Sequence, residues 1–154
     1  MLQKAGKITT SDGFQFNLQK DIAYAMGART AAGTNYERIQ RGWIPFGVNR
    51  VIWFAQLPAS PKNSAKYNNE LRKDKDGKMT LKETPKDGEL SRKMLNELEK
   101  LNNGTPPLAV VFGKEEDNDA YSFLGEFELI DGDASTPGRQ FLLWERIREE
   151  AQVM

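Results

Sequence analysis

The sequence contains no histidine and no cysteine among its 154 residues. The absence of cysteine excludes disulfide bonds and thiolate zinc sites. The absence of histidine excludes Ser-His-Asp and Cys-His catalysis, histidine-ligated metals and every nuclease site that depends on a histidine. Carboxylate, lysine and tyrosine side chains are the groups left for acid–base chemistry. The composition therefore favours a binding module over an enzyme, and we predict no cofactor and no metal site.

Long apolar runs are also absent. No segment approaches the roughly 20 apolar residues that span a bilayer, and the first residues show no signal-peptide pattern. With 38% hydrophobic and 29% charged residues, the composition is that of a globular protein. We expect a single domain over residues 1–154, cytoplasmic and without a membrane partner. The charged end after Arg148 indicates a frayed tail, or a domain excised from a longer protein.

Positive and negative side chains are equal in number, but they are unevenly distributed along the chain. Residues 1–100 carry 18 Lys and Arg against 11 Asp and Glu, whereas residues 101–154 carry 4 against 11. A bipolar domain of this kind can present a basic face to a polyanion while it stays neutral as a whole. The alternative is a mixed surface with an acidic end, and the sequence pI of 6.4 agrees with that reading.

Two helices are predicted from the spacing of apolar residues. The first covers residues 17–27 and ends at Gly27, and the second covers residues 89–101, where five apolar side chains share one face. Residues 28–47 are rich in Gly, Thr and Asn, which predicts a long ordered loop with one helical turn near residues 36–40.

Six strands are predicted, at residues 48–57, 67–71, 78–83, 107–113, 120–130 and 139–147. Asp76-Gly77 is a hairpin signal, and Gly125 in the middle of an apolar strand predicts a bulge or sharp bend. Strands that are mostly antiparallel, with two or so flanking helices, indicate an α+β fold. We expect a small, strongly bent sheet or open β-barrel.

Short motifs follow one another in a particular order. They are Asp21-Ile22, Gly33, Val51–Phe54, Tyr67–Asn69, Asp76–Met79, Gly88-Glu89, Pro107–Phe112, Tyr121–Phe127 and Arg139–Trp144. The ordered set resembles the SRA (SET- and RING-associated, or YDG) domain, especially the SRA-like domains of modification-dependent bacterial restriction enzymes. The strand motif Tyr121–Phe127 is shared with wider PUA-like folds, so it bears on the fold more than on the ligand.

The resemblance implies a crescent-shaped PUA-like barrel that extrudes a modified cytosine from duplex DNA and stacks it between aromatic side chains. Tyr67 matches the first stacking tyrosine of the family, and Asn69 and Glu70 lie where the family's edge-reading acid sits. Leu81 replaces the second stacking tyrosine. This departure leaves one wall of the base pocket aliphatic, or filled by another aromatic residue such as Trp53, Tyr36 or Trp43. A wider pocket would suit hydroxymethylated or glucosylated cytosine.

Basic and amide side chains crowd the segment around the predicted hairpin, a pattern that suits contacts to DNA phosphates. The candidate contacts are Lys62, Lys66, Arg72, Lys73, Lys75, Lys78, Arg41 and Trp43. The alternative interpretation is a solvated hairpin whose charge is balanced by Asp74 and Asp76. The Asp131-Gly132-Asp133 segment lacks the remaining ligands of a calcium loop and is interpreted as a turn.

The first hypothesis is therefore a module that reads a modified base in double-stranded DNA for a restriction or phage-defence system. Cleavage would be supplied by a fused or associated nuclease or NTPase. An alternative is a PUA- or ASCH-like domain that binds RNA or a modified nucleotide. Two further hypotheses are a small enzyme that uses carboxylates or lysine, and a protein-interaction domain that uses the acidic C-terminal third.

Overall fold

A computed structural model describes residues 6–39, 41–57 and 69–154. This part of the chain contains two α-helices, α1 (Gln19–Met26) and α2 (Arg92–Asn102), and a 3-10 turn at Thr10–Asp12. Its ten strands are β1 (Lys7–Thr9), β2 (Gln15–Phe16), β3 (Trp43–Pro45), β4 (Arg50–Leu57), β5 (Glu70–Lys73), β6 (Met79–Glu83), β7 (Leu108–Glu115), β8 (Tyr121–Asp133), β9 (Phe141–Arg148) and β10 (Glu150–Gln152). Neither of the described helices is long and apolar enough to cross a membrane.

Eight of these strands form one sheet. Its order is β3-β4-β7-β8-β9-β6-β5, and β2 adds to β8. The β4–β7 pair is parallel and the other pairs are antiparallel. A second, two-stranded sheet joins β1 to β10. The α+β class with two flanking helices and a mostly antiparallel sheet is confirmed.

The large sheet is buried on both faces, which explains the uninterrupted apolar run in β4. Successive side chains of a strand point to opposite faces. Ile52 and Phe54 accordingly pack in a core that includes residues of α1, whereas Trp53 and Ala55 pack in a core that includes residues of α2. We call these the α1 core and the α2 core. β4 is therefore packed on both faces, and this packing fixes the position of any site at its end.

Local signals in the sequence are confirmed at one turn and at one strand irregularity. At residues 74–78 the Asp74 carboxylate accepts hydrogen bonds from the amides of Asp76 and Lys78 at 2.9 Å each, and Gly77 has a φ of 82°. Gly125 has a φ of 123° and lies where the β7–β8 register shifts. A side chain at Gly125 would come within 2.6 Å of the Arg148 carbonyl oxygen. The predicted bulge is therefore a close backbone approach that only glycine allows.

Two local predictions are wrong. The predicted helical turn is absent from its described residues, 36–39, and the predicted loop ends in β3, because residues 43–45 pair with residues 51–53 of β4. The chain after Arg148 does not fray, because β10 pairs with β1 and Ala151 is buried against Ile8.

Candidate nucleic-acid interface

A cleft of about 260 Å³ opens at the edge of β4, beyond the point where β3 stops pairing with it. Among the described residues, the last main-chain hydrogen bond between the two segments runs from the Phe54 amide to the Gly42 carbonyl, at 2.8 Å. Further along β4, the Asn69 side-chain amide donates to the main-chain carbonyl of Gln56 at 3.1 Å. The cleft is lined by Gln19, Ile39, Arg41, Gly42, Trp53, Phe54, Gln56 and Asn69. We call it the β4 cleft.

Amide side chains make one side of the β4 cleft polar. Gln56 donates its Nε2 to the Tyr121 hydroxyl at 2.8 Å, and Gln19 donates its Nε2 to the same hydroxyl at 3.1 Å. Both amide groups are thereby oriented by a buried tyrosine, and each keeps its side-chain oxygen as an acceptor. An amide oxygen held in this way can accept a hydrogen bond from an exocyclic amino group. The geometry suits a small planar ligand with a polar edge.

A stack of two cations on an aromatic ring lies beside the β4 cleft, and Arg41 is the member of the stack that lines the cleft. The Arg41 guanidinium lies 4.3 Å from the centre of the Trp43 ring, and the Lys93 ammonium lies 4.7 Å from the same centre. Cations held over an indole face gain a favourable interaction of about 0.5–1 kcal/mol at exposed sites. The stack fixes Arg41 at the cleft and leaves it available to an anionic ligand.

The sequence-predicted pocket residues are only partly brought together. Trp53, Asn69 and Arg41 share the β4 cleft. Leu81 does not line it, since it is fully buried in the α2 core and pairs with Trp144 across β6 and β9. Glu70 is exposed on β5 and forms an ion pair with Arg72 at 2.6 Å. Neither Leu81 nor Glu70 therefore faces a ligand in the β4 cleft.

The predicted phosphate contacts fall into three groups. Lys73 and Lys75 are exposed at the β5–β6 hairpin, and Lys78 there lies 3.6 Å from the Glu145 carboxylate. Arg72 forms the ion pair with Glu70. Arg41 lines the β4 cleft and stacks on Trp43. Tyr67, Lys62 and Lys66 lie outside the described residues.

Comparison with known proteins identifies the family. The family model of the SET and RING associated domain matches residues 1–153. The chain belongs to the SRA family. One solved structure similar to this SRA domain is "The 5-Hydroxymethylcytosine-Specific Restriction Enzyme AbaSI", at 25% identity and a TM-score of 0.61. The match covers 97% of the SRA domain and 43% of the AbaSI chain. Among proteins with curated descriptions, none matches.

Sequence reasoning missed the polar side of the cleft of this SRA domain. Gln19, Gln56 and Tyr121 come from α1, β4 and β8, and their side chains meet only through the tertiary fold. One local signal was available, because Gln56 is the first polar side chain after five apolar residues of β4. A polar residue at the end of a buried strand is a reasonable candidate for a site.

Two carboxylates lie at the α2 core of the SRA domain. Glu83 accepts a hydrogen bond from Trp144 Nε1 at 3.1 Å, and Glu97 is buried and pairs with Lys93 at 3.0 Å. Burial raises the pKa of Glu83 from 4.5 to about 7, and neighbouring Glu97 adds to the rise while Lys93 opposes it. Burial likewise raises the pKa of Glu97. Within the described residues, no group of three or more acidic side chains is arranged to hold a metal ion.

The raised pKa of Glu83 predicts a stability that falls as pH rises. Between about pH 4.5 and 7 the folded state binds a proton at Glu83 that the unfolded state has released, so the free energy of unfolding decreases over this window. In the Glu83→Gln variant, we expect the drop in unfolding free energy across this pH window to be smaller by on the order of 2 kcal/mol. Urea denaturation of both proteins at pH 5, 6, 7 and 8 measures it. Parallel pH profiles of the two proteins would contradict the prediction.

Proposed function

We propose that this SRA domain binds double-stranded DNA and reads one modified cytosine, which is extruded from the helix into the β4 cleft. The observation that carries the proposal is the cleft itself, where an indole, oriented amide groups and a cation converge at the edge of a rigid strand. A single-base ligand fits a site of about 260 Å³ better than a drug-sized ligand, for which pockets of roughly 300–1,000 Å³ are usual. AbaSI, a 5-hydroxymethylcytosine-specific restriction enzyme, supports the choice of base.

Hydrogen bonding to the edge of the base is the step that would select cytosine. The side-chain oxygen of Gln56 can accept from the N4 amino group, and the side-chain oxygen of Asn69 is a second acceptor beside it, because the amide nitrogen of each already donates one hydrogen bond that orients the group. A hydroxymethyl group at C5 would add one donor and one acceptor that suit the polar side of the cleft.

Stacking is the step that would offset the cost of extrusion. Unpairing and unstacking a base costs a few kcal/mol, and stacking on an aromatic face returns roughly 1–3 kcal/mol. Trp53 is an aromatic residue of the cleft lining, but it is only 8% exposed and packs in the α2 core, so it offers a small part of the stacking surface. Tyr67, two residues before Asn69, is proposed as the opposing platform on the strength of the family pattern.

Phosphate contacts at the β5–β6 hairpin would hold the duplex. Lys73→Gln combined with Lys75→Gln is expected to weaken binding equally for modified and unmodified duplexes. The dependence of log affinity on log salt should become shallower by about 1.8, because each phosphate contact contributes about 0.9. Anisotropy titrations at 50 and 200 mM salt measure this slope. Lys86→Gln combined with Arg139→Gln removes the same charge from two exposed positions that do not line the β4 cleft, and this control should leave the slope unchanged.

We further propose that this domain works in a restriction or phage-defence system, where cleavage is carried out by another domain or chain. This chain has no histidine for a nuclease site. It spans less than half of the AbaSI chain, so the activity of a whole protein of that kind does not transfer to it. We therefore expect binding without cleavage from the chain alone.

A fluorescence-anisotropy titration tests the proposal. The probes are duplexes identical except for cytosine, 5-methylcytosine, 5-hydroxymethylcytosine or glucosylated cytosine at one position, with an RNA duplex of the same sequence as competitor. We expect at least a tenfold preference for one modified duplex, and weak competition by RNA. Equal affinity for all four DNA duplexes would contradict base reading, and preferential displacement by RNA would favour an RNA ligand.

A further inference from the structure

A second and larger cleft lies between α2 and the β3–β4 hairpin. Its volume is about 470 Å³. Its lining includes Trp43 and Arg50 on the β3–β4 side and Arg92, Asn96, Glu97 and Lys100 on the α2 side. We call it the α2 cleft. It shares no lining residue with the β4 cleft.

The charge of the α2 cleft is positive. Glu97 is the one acidic residue of the lining, and Lys93 neutralises it at 3.0 Å. Arg50 forms an ion pair with Glu126 at 3.0 Å, and Glu126 also pairs with Arg148. Arg92 and Lys100 are exposed on α2 and make no ion pair within the described residues. These two side chains are therefore the cations of the cleft that are available to a ligand.

The geometry of the free cations suits a linear polyanion. Arg92, Asn96 and Lys100 follow one another at intervals of four residues, so they form one stripe along α2. Eight residues of helix place the ends of the stripe about 12 Å apart, at a rise of 1.5 Å per residue. A strand of B-form DNA carries one phosphate per 3.4 Å of helix axis, so the stripe matches the axial length of three to four nucleotides.

The two clefts are linked by the side chains stacked on Trp43. Arg41 lines the β4 cleft and stacks on Trp43, which lines the α2 cleft, and Lys93 covers the same indole. Along β4, Arg50 and Gln56 are six residues apart, which is about 20 Å at 3.3 Å per residue. That length corresponds to about six base pairs of duplex. A single duplex can therefore reach both clefts.

We propose that the α2 cleft binds backbone phosphates of the same duplex whose modified base occupies the β4 cleft, about half a helical turn away. The inference rests on the proposed function for the identity of the polyanion. Arg92 and Lys100 supply the contacts, Asn96 adds a side-chain donor between them, and Trp43 packs against the sugar-phosphate chain. The cleft strengthens binding without reading sequence or modification, because phosphates carry no base identity.

The test compares Arg92→Gln combined with Lys100→Gln against the control Lys86→Gln combined with Arg139→Gln. Affinity is measured by anisotropy on duplexes of about 20 base pairs, modified or unmodified at the central cytosine, at 50 and 200 mM salt. We expect the Arg92/Lys100 variant to bind both duplexes about tenfold more weakly at 50 mM. Its salt slope should fall by about 1.8 relative to wild type. The ratio between modified and unmodified affinities should stay unchanged, and the control should behave as wild type.

The outcomes separate this inference from the proposed function. Wild-type affinity and salt slope in the Arg92/Lys100 variant would overturn the α2-cleft assignment, even if modified DNA is preferred. If that variant loses affinity but the wild type shows no preference for modified DNA, the α2 cleft binds phosphates and base reading is refuted. If a poly-glutamate peptide binds wild type but not the variant while duplex affinity is equal for both, the cleft serves an acidic protein instead. A wild type that binds no duplex contradicts both proposals.

Discussion

Gln56→Leu is expected to weaken binding of a duplex with 5-hydroxymethylcytosine by about 10- to 100-fold. The affinity for unmodified duplex should stay within twofold, because we expect that duplex to be held through its phosphates with its cytosine still paired, so its amino group does not reach Gln56. Leucine keeps much of the side-chain volume but has no oxygen to accept from the cytosine amino group. The loss of one base-edge contact is worth about 1–3 kcal/mol. Tyr121 keeps its bond from Gln19 at 3.1 Å, so the buried hydroxyl does not lose both partners.

Anisotropy titration with both duplexes measures the effect, and thermal denaturation checks that the fold is kept. Gln152→Leu is the matched control, because Gln152 is exposed on β10 and lines neither cleft. If Gln56→Leu and Gln152→Leu bind the modified duplex equally well, the amide of Gln56 does not read the base.

Trp144→Ala is expected to lower the free energy of unfolding by about 3–5 kcal/mol, the usual range for removing a buried large aromatic side chain. Trp144 is only 1% exposed and packs in the α2 core, with its ring centre 5.8 Å from that of Trp53. The substitution opens a cavity between α2 and the sheet. It also removes the hydrogen bond to Glu83, which leaves a half-buried carboxyl without this partner.

Urea denaturation followed by circular dichroism measures this change. Trp43→Ala is the control, because Trp43 is half-buried at the rim of the α2 cleft. We expect Trp43→Ala to cost about 1 kcal/mol, the order of its lost cation–π contacts. The loss of unfolding free energy in Trp144→Phe should lie between those of the two alanine variants, because phenylalanine keeps most of the packing but lacks the indole donor. A loss below 1 kcal/mol for Trp144→Ala would contradict the assignment of Trp144 to the core.

The regular elements could be predicted from the sequence because their signals are local. The apolar run Val51–Phe54 is typical of a strand buried on both faces, and α2 shows helical spacing of its apolar residues. Gly125 marks a backbone approach that any side chain would block. Each of these signals lies within one segment of the chain.

The elements that could not be predicted depend on partners far away in the chain. β10 is three residues long and is stabilised by β1, more than 140 residues earlier. The polar side of the β4 cleft joins Gln56 to Tyr121, which are 65 residues apart. Leu81 was expected to line a base pocket because of its position in a family motif. In the fold it pairs with Trp144 and is fully buried in the α2 core. Residue type alone does not determine which face of a strand borders solvent.

The central claim is that a cytosine leaves the helix and enters the β4 cleft. The most direct measurement places 2-aminopurine beside a 5-hydroxymethylcytosine in a duplex and follows its fluorescence during titration with the protein. Extrusion of the neighbouring base unstacks the probe, so we expect fluorescence to rise several-fold with wild type, and to rise at most slightly with Gln56→Leu at the same fraction of duplex bound. Saturated binding of the duplex by wild type with no rise in fluorescence would contradict the account.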